Sequence, residues 1–458
     1  MKKKKTLYIV IELKVREFVA KVLFSYFAAL RGYRVYLGSR EKIFDLILSK
    51  KNKGGIFFYK AGLQYDLTKK IDKKVDSHIV LDEEMSPGNS KKSYKYMVNA
   101  FLPKTIKYIK YFFYVNSDIV TAFKDYYKLK KNVVASGWPR FDLFRKKFRS
   151  LYKSDIKKIK KNYGEFIIFI SDFGYISENY ESYASEYYSW GAKNDKQLID
   201  GKSRTLRYAK NNYEEFLKVM SFLKNIALKF PKKKIIIRGN PSENLKVWKK
   251  EVMNIKNLLF VEPKDDAQPW IEASSGVMHR GCTTSMQAIM LNKPIAFIDL
   301  KKKNEFLKKF SHRISFKIKN EKDYFKWINK SKKNINHNLY RKVKKELNIR
   351  KKTSCEIILS NLDKLKVKLE STHKFKKNID NKNFKYFLDK FKSYIYVFFV
   401  KTKILKRNID RLYFYPKLSN GILKQEAVYY LKELRKNILK EINIKQIEVN
   451  LIKFEKND

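Results

Sequence analysis

The stretch Gly276 to Asp299, GVMHRGCTTSMQAIMLNKPIAFID, constrains the fold more than any other part of the chain. A short apolar run, Gly276-Val277-Met278, ends at His279, and the small-residue loop Arg280-Gly281-Cys282 follows. Thr283, Thr284 and Ser285 open a helix, and the turn at Pro294 leads into a second strand, Ile295 to Ile298. Strand, short loop, helix, strand is a βαβ unit, the connection that parallel strands require. The loop then lies at the carboxyl end of its strand, where open α/β sheets bind ligands. The first N–H groups of the helix have no partner within it and favour an anion such as a phosphate. His279 stands at the mouth of that position. A simpler reading has equal standing on this stretch alone: a Thr/Ser helix cap beside a structural histidine.

The same alternation recurs along the chain. A length of 458 residues exceeds one compact core, so two domains are expected. Strands at Thr6–Leu13, Tyr33–Leu37, Gly54–Tyr59, His78–Leu81, Tyr111–Val115 and Val133–Ala135, with helices between them, predict a doubly wound first domain over residues 1–150. Arg145 to Lys161 reads as a basic linker. The second domain, 151–363, starts with strand Phe166–Ile170 and continues with Ile235–Arg238 and Leu258–Val261 before reaching Gly276. Between them, Glu178 to Asp200 reads as a long Tyr- and Ser-rich loop. Tyr208 to Lys229 is an amphipathic helix carrying Phe216, Val219, Met220, Leu223 and Ile226 on one face. Residues 364–458 read as a basic, mainly helical extension.

Candidate site residues fall just after strands. Leu81-Asp82-Glu83-Glu84 places carboxylates at a strand's carboxyl end, where Glu83 or Glu84 could act as a general base, or where all three acids simply begin a loop. In Ser136-Gly137-Trp138-Pro139-Arg140-Phe141-Asp142, Arg140 either pairs with Asp142 or faces a donor phosphate. Ser171 and Asp172 follow the first strand of the second domain, and Asp172 is a reserve base with His279. Arg238-Gly239-Asn240-Pro241-Ser242-Glu243 ends another strand. Arg238 is placed to pair with a diphosphate and Glu243 to accept from ribose hydroxyls, or the two pair across the turn.

Charge bears on partners. The chain holds 103 Lys and Arg against 46 Asp and Glu, a net +57. The excess is dispersed, which suits a solvated surface and an anionic membrane face better than a nucleic acid groove, so nucleic acid is not an expected partner. Two cysteines, Cys282 and Cys355, make no disulfide framework and fit a reducing, cytoplasmic compartment. No zinc-ligand spacing is present, and no apolar run is long enough to span a bilayer. A cytoplasmic protein, peripheral on the inner membrane face, is expected.

Taken in order, Leu81–Glu84, Gly137–Asp142, Arg238–Glu243 with Trp248 after it, Pro269-Trp270, Cys282–Ser285 and Asn292-Lys293-Pro294 resemble the motifs of the bacterial surface carbohydrate biosynthesis proteins. Those are distantly similar to capsule and lipopolysaccharide 3-deoxy-manno-octulosonate transferases. The resemblance spans about Thr6 to Lys330. It implies the GT-B layout, two Rossmann-like α/β domains facing a cleft, here with the basic extension added. It further implies a metal-independent, cofactor-free glycosyltransferase that takes a nucleotide-sugar donor and a glycan or lipid-linked acceptor. Arg140, Ser171, Arg238, Asn240, Glu243, His279, Thr283, Thr284, Ser285 and Gln287 would be on the donor, and Glu83, Glu84 or Asp172 would be catalytic. The chain departs from the family pattern at Asn240 (usually His), Gln287 (usually Glu) and Trp138 (usually Asn). Asn240 can hydrogen-bond a phosphate but carries no proton at neutral pH. A polyol phosphotransferase of the teichoic-acid type, using a cytidine diphosphate donor, and a non-enzymatic polyanion- or RNA-binding protein are the alternatives.

Overall fold

Short runs of β-branched and aromatic residues form fourteen strands in a computed structural model that describes residues 3–60, 65–84, 87–88, 94, 105–129, 132–174, 176, 195–241, 243, 245–300, 309–330, 337–371, 418, 421–435, 438–448 and 450–457. They fall in two compact units, Met1–Tyr152 with Glu346–Asp458, and Lys153–Lys345.

In the first unit, strands β1 (Thr6–Ile11), β2 (Arg34–Ser39), β3 (Ile56–Tyr59), β4 (Ser77–Leu81), β5 (Ile109–Tyr114) and β6 (Val133–Ala135) pair in parallel. β1 lies between β2 and β3, so the strand order reverses beside β1. A crevice opens above the carboxyl ends at such a reversal. In the second unit, β7 (Ile167–Ile170), β8 (Ile235–Arg238), β9 (Leu258–Val261), β10 (Gly276–His279), β11 (Ile295–Ile298) and β12 (Phe316–Ile318) are also parallel. Their spatial order is β9-β8-β7-β10-β11-β12. Counted from β7 this is 3-2-1-4-5-6, the Rossmann order, with its reversal between β7 and β10. The helix Asp195–Lys229 lays Phe216, Val219, Met220, Leu223 and Ile226 into the core of this sheet, as its periodicity requires.

After Lys345 the chain returns to the first unit. Asp142, buried at the end of Pro139–Asp142, accepts the Ser354 and Cys355 N–H groups at 3.1 Å each. It thereby satisfies the start of helix Ser354–Leu362, which Thr353 and Glu356 close with a capping box. Asp142 pairs with Arg145 at 2.9 Å, not with Arg140. Beyond that helix, Glu370 bridges to Lys4 through the backbone and to buried Lys50 at 2.6 Å.

The extension differs from a helical tail where it is described. Lys424–Leu434 is helical, but β13 (Ile442–Glu448) and β14 (Leu451–Lys456) form an antiparallel hairpin, and β14 pairs with β2. The reason is in the sequence: Ile442 and Ile444 are buried between exposed Asn443 and Lys445, the period of a half-buried strand. Gly38 on β2 admits this hairpin, because a Cβ there would lie 2.7 Å from the Asn450 carbonyl oxygen. Two further expectations change. The basic linker is ordered, with a 3-10 turn at Lys146–Tyr152 and an α-helix at Lys153–Tyr163 that buries Ile159. The loop expected at Glu178–Asp200 is helical from Asp195; residues 177–194 lie outside the described residues.

His78 on β4 is buried with neither ring nitrogen bonded, 4.9 Å from the Phe57 ring. Burial disfavours its charged form and lowers its pKa from 6.5 to about 3. The unfolded chain therefore takes up the proton first as pH falls, and stability is lost over that interval. Replacing His78 by Leu removes this one contribution. The unfolding free energy of His78→Leu, from urea titration, should gain on that of the parent chain as pH is lowered from 6.5, by up to about 1.4 kcal/mol per pH unit. A constant difference between the two would contradict a neutral, buried His78.

Candidate functional site

Ten of the expected site residues lie in the second unit, around the ends of β7, β8 and β10. Glu243 is the most constrained. One carboxylate oxygen accepts from the Ser171 hydroxyl at 2.5 Å and the Phe173 N–H at 2.8 Å. The other accepts from the Asn240 N–H at 3.1 Å and the Trp248 indole at 2.8 Å. Burial pushes this carboxyl up to about 7, against the pull of four donors that favour its ionised form. Glu243 thus ties the loop after β7 to the loop after β8, and both of its oxygens are occupied. In this structure Glu243 is a brace between the two loops.

Arg238 is likewise engaged within the protein. Its guanidinium is buried and pairs with Asp265, at 2.8 Å to the carboxylate and with a second bond to the Asp265 carbonyl, beside the Trp270 ring. It holds the end of β8 to the Asp265 turn rather than to Glu243 or to an open crevice. His279 is fully buried. Its Nδ1 accepts the Gly281 N–H at 3.0 Å, so Nε2 carries the proton toward Ser315 Oγ, 2.8 Å away. The Ser315 hydroxyl proton goes to the Ser311 carbonyl at 2.6 Å. This ring is a neutral fixture of the loop, not a group at its mouth. Ser285 is also turned inward and bonds the Cys282 carbonyl at 2.9 Å.

Half-buried positions remain on the rim: Asp172 after β7, Asn240 after β8, and Thr283, Thr284 and Gln287 after β10. Thr283 precedes helix Thr284–Met290 without a side-chain cap, and the Thr284 hydroxyl contacts the Cys282 sulfur. One residue of this rim escaped the motif reading as a site residue. Arg280 pairs with buried Glu215, bonds Asn212 Oδ1 at 2.9 Å, and reaches the Asp172 carbonyl at 3.2 Å. It joins the loop after β10 to the loop after β7. Only its place in the small-residue loop signalled it, since Glu215 lies 65 residues away.

The first unit holds Glu83, Glu84 and Arg140. Charges crowd the reversal beside β1. Glu84 pairs with Arg16 at 2.8 Å and Lys60 at 3.1 Å, and Lys60 pairs with Glu12 at 2.5 Å. Burial opposes its charge, but Arg16 and Lys60 hold the Glu84 carboxyl down to about 2. Glu17, buried, accepts the Glu12 and Leu13 N–H groups and pairs with Lys21 at 2.6 Å. It too is held at about 2, its desolvation outweighed by Lys21 and Arg16. Both of these acids are thus engaged by neighbouring cations. Glu83 is buried beside Glu84, in the same turn. Arg140 lies 4.2 Å over the ring of Trp138, whose indole donates to the Asp82 carbonyl at 2.6 Å. Among the described residues no group of three or more His, Cys, Asp or Glu could hold a metal ion.

Glu243→Gln tests the brace. The amide oxygen can keep the Asn240 and Trp248 donors, with its NH2 turned to the Ser171 hydroxyl, which can accept, and to the Phe173 N–H, which is left unpaired at roughly 1–3 kcal/mol. The variant should lose about 1–3 kcal/mol of stability by denaturant titration, with hydrogen exchange rising in the loop after β7. Parent-like stability with weakened nucleotide binding would restore Glu243 as a ligand contact.

No family model matches the sequence, and no curated protein matches it. Among solved structures, the chain is similar to UDP-GlcNAc 2-epimerase from Neisseria meningitidis bound to UDP-GlcNAc, with 13% identity, a TM-score of 0.46, and 79% of this chain and 100% of that one covered. It is also similar to a variant of the wall teichoic acid polymerase TagF (11% identity, TM-score 0.43, 76% and 83% covered). A third is Anabaena HepE in complex with UDP and glucose (10%, 0.40, 79% and 100%).

Proposed function

We propose that the chain is a glycosyltransferase that moves a sugar from a nucleotide-sugar donor onto a glycan or lipid-linked acceptor of a surface polysaccharide. The observation that carries this reading is the β9-β8-β7-β10-β11-β12 order of the second unit, with polar loops tied together at its reversal by Glu243 and Arg280. Parallel sheets of this order bind nucleotides at that place. The donor would rest on Asp172, Asn240, Thr283, Thr284 and Gln287, over a floor fixed by Ser171, Arg238, Glu243, His279 and Ser285. The motif order, which resembles that of the bacterial surface carbohydrate biosynthesis proteins, supports a sugar rather than another group as the cargo. No metal is assigned a role.

In the transfer itself, the acceptor hydroxyl oxygen bonds to the anomeric carbon as the bond from that carbon to the nucleotide's phosphate oxygen breaks. The hydroxyl proton must leave at the same time. We assign it to the carboxylate of Glu83, because Glu84 is committed to Arg16 and Lys60.

Calorimetry with CMP, CDP, UDP and GDP tests the donor site, and a donor labelled in both sugar and phosphate tests the reaction. The sugar label should move to the acceptor while the phosphate label stays with the nucleotide. Transfer of the phosphate label would identify a polyol phosphotransferase, and failure of all four nucleotides to bind would remove the donor site. Glu83→Gln should slow transfer at least about 100-fold with nucleotide affinity intact, the usual scale of a lost general base. Glu84→Gln should retain transfer. Unchanged transfer in Glu83→Gln would move the base to another residue, Asp172 first.

A further inference from the structure

We propose that one corner of the second unit docks on an anionic lipid surface: the end of helix Asp195–Lys229, the turn after it, and helix Glu321–Lys330. Two large apolar side chains stand out there. Leu228 is 67% exposed and Phe325 51%. Phe325 is held outward by stacking on Phe230, with ring centres 6.0 Å apart and planes 21° from parallel. The pairing of Lys229 with Glu321 joins the two helices. Around this apolar pair lie exposed Lys232 and Lys233 on the turn and Lys322 and Lys326 on the second helix. Among the described residues no ion pair engages any of these four. Glu321 is taken by Lys229, and Asp323 accepts the Lys319 N–H. Lys232 and Lys233 also line a cavity of about 200 Å³ floored by Trp327, with Ser275 and one acid, Glu165, on its wall.

Charge complementarity selects the occupant. An apolar anchor ringed by lysines matches a bilayer whose phosphates lie just outside its acyl chains. A second copy of this chain would bring the same lysines against these and be repelled. A nucleic acid would gain nothing from Leu228, which offers no flat face for a base. Among the described residues no helix is long and apolar enough to cross a membrane, so a surface such as this is what the described fold offers to lipid. The corner borders the amino ends of β7 and β10, where Ile167 and Gly276 line the cavity. The carboxyl-end loops of the same sheet lie at its opposite edge and stay clear of the docked face. This inference stands apart from the identity of the transferred group.

The test uses the full chain and vesicles of phosphatidylcholine alone or mixed with phosphatidylglycerol. The parent chain should sediment with the mixed vesicles and not with the neutral ones. Replacing Lys232, Lys233, Lys322 and Lys326 together by Gln should lower partitioning about 600-fold, since each lysine near such a surface contributes roughly fivefold. Leu228→Ser with Phe325→Ser should lower it about tenfold. Equal sedimentation with both vesicle types, or parent-like partitioning of the quadruple variant, would overturn the proposal. So would a change in oligomeric state in the Ser variant, which would mark a self-interface. A label decides the matter even if those variants fold poorly. Both native cysteines are buried, so a polarity-sensitive dye can be placed on Leu228→Cys or on Lys264→Cys, the latter beyond the carboxyl end of β9. The first should shift to the blue on mixed vesicles and the second should not. Equal shifts, or none, would reduce the effect to diffuse charge and reject the site.

Discussion

Burying a carboxylate costs several kcal/mol unless donors meet it, and this chain places such groups where its loops need fixing. Parallel strands end in backbone groups that the sheet cannot pair, and the polypeptide must turn there without regular structure. In the second unit Glu243 supplies two acceptor oxygens to four donors, three in the loops after β7 and β8 and the fourth the Trp248 indole of helix Leu245–Val252. The Arg280–Glu215 pair does the corresponding work between β10 and β7. In the first unit Glu17 satisfies the start of helix Lys14–Leu30, and Asp142 satisfies the start of Ser354–Leu362. Each removes unpaired N–H groups and pins two segments by one side chain. A rim fixed in this way can present neighbouring polar groups in a set geometry, which is the condition for recognising a ligand without reorganising around it.

The strand positions were legible because apolar runs and their punctuation are local. Ile295–Ile298 and Val133–Ala135 coincide with the strands observed, and the stripe from Phe216 to Ile226 packs inward as its spacing requires. The rim residues were legible for the same reason, since a polar residue directly after a buried strand can only sit at a sheet's edge. What spacing does not contain is the direction each side chain takes once there. Arg238 finds Asp265 27 positions later, and His279 finds Ser315 36 positions later. Such partners meet only when β8 and β10 are side by side with their neighbours. Residues that look alike in the sequence therefore divide into buried braces and half-buried rim groups.

The C-terminal segment shows composition misleading where pattern would not. Lysine and asparagine dominate it, and reading it as basic amphipathic helix follows from that composition. Yet Ile442-Asn443-Ile444-Lys445 alternates strictly, and Asn450 takes the left-handed turn, φ +62°, that lets the hairpin reverse. The pairing partner was hidden because it lies in β2, more than 400 residues earlier, and because Gly38 gives no hint of the close approach it permits. The return of Glu346–Asp458 to the first unit rests on equally remote contacts, Asp142 with Ser354 and Arg31 with Asp363.

The departures from the family pattern carry unequal weight once the side chains are placed. Trp138, where the pattern has Asn, is wholly buried, yet its indole still donates a hydrogen bond, to the Asp82 carbonyl. The ring packs against Phe141 and under the Arg140 guanidinium. Its hydrogen bond ties the turn after β6 to Asp82, next to Glu83 and Glu84. Asn240 and Gln287 are different, because both side chains are half-buried on the second unit's rim. The Asn240 backbone N–H belongs to Glu243, so the loop keeps its shape whatever side chain stands at 240. The substitution then alters what the rim offers a ligand and leaves the rim itself intact. A histidine can hand over a proton and a glutamate can bring a charge; an asparagine and a glutamine offer hydrogen bonds alone. In the proposed donor site such a rim would hold a polar group through hydrogen bonds alone, and the proton transfer would be left to a carboxylate.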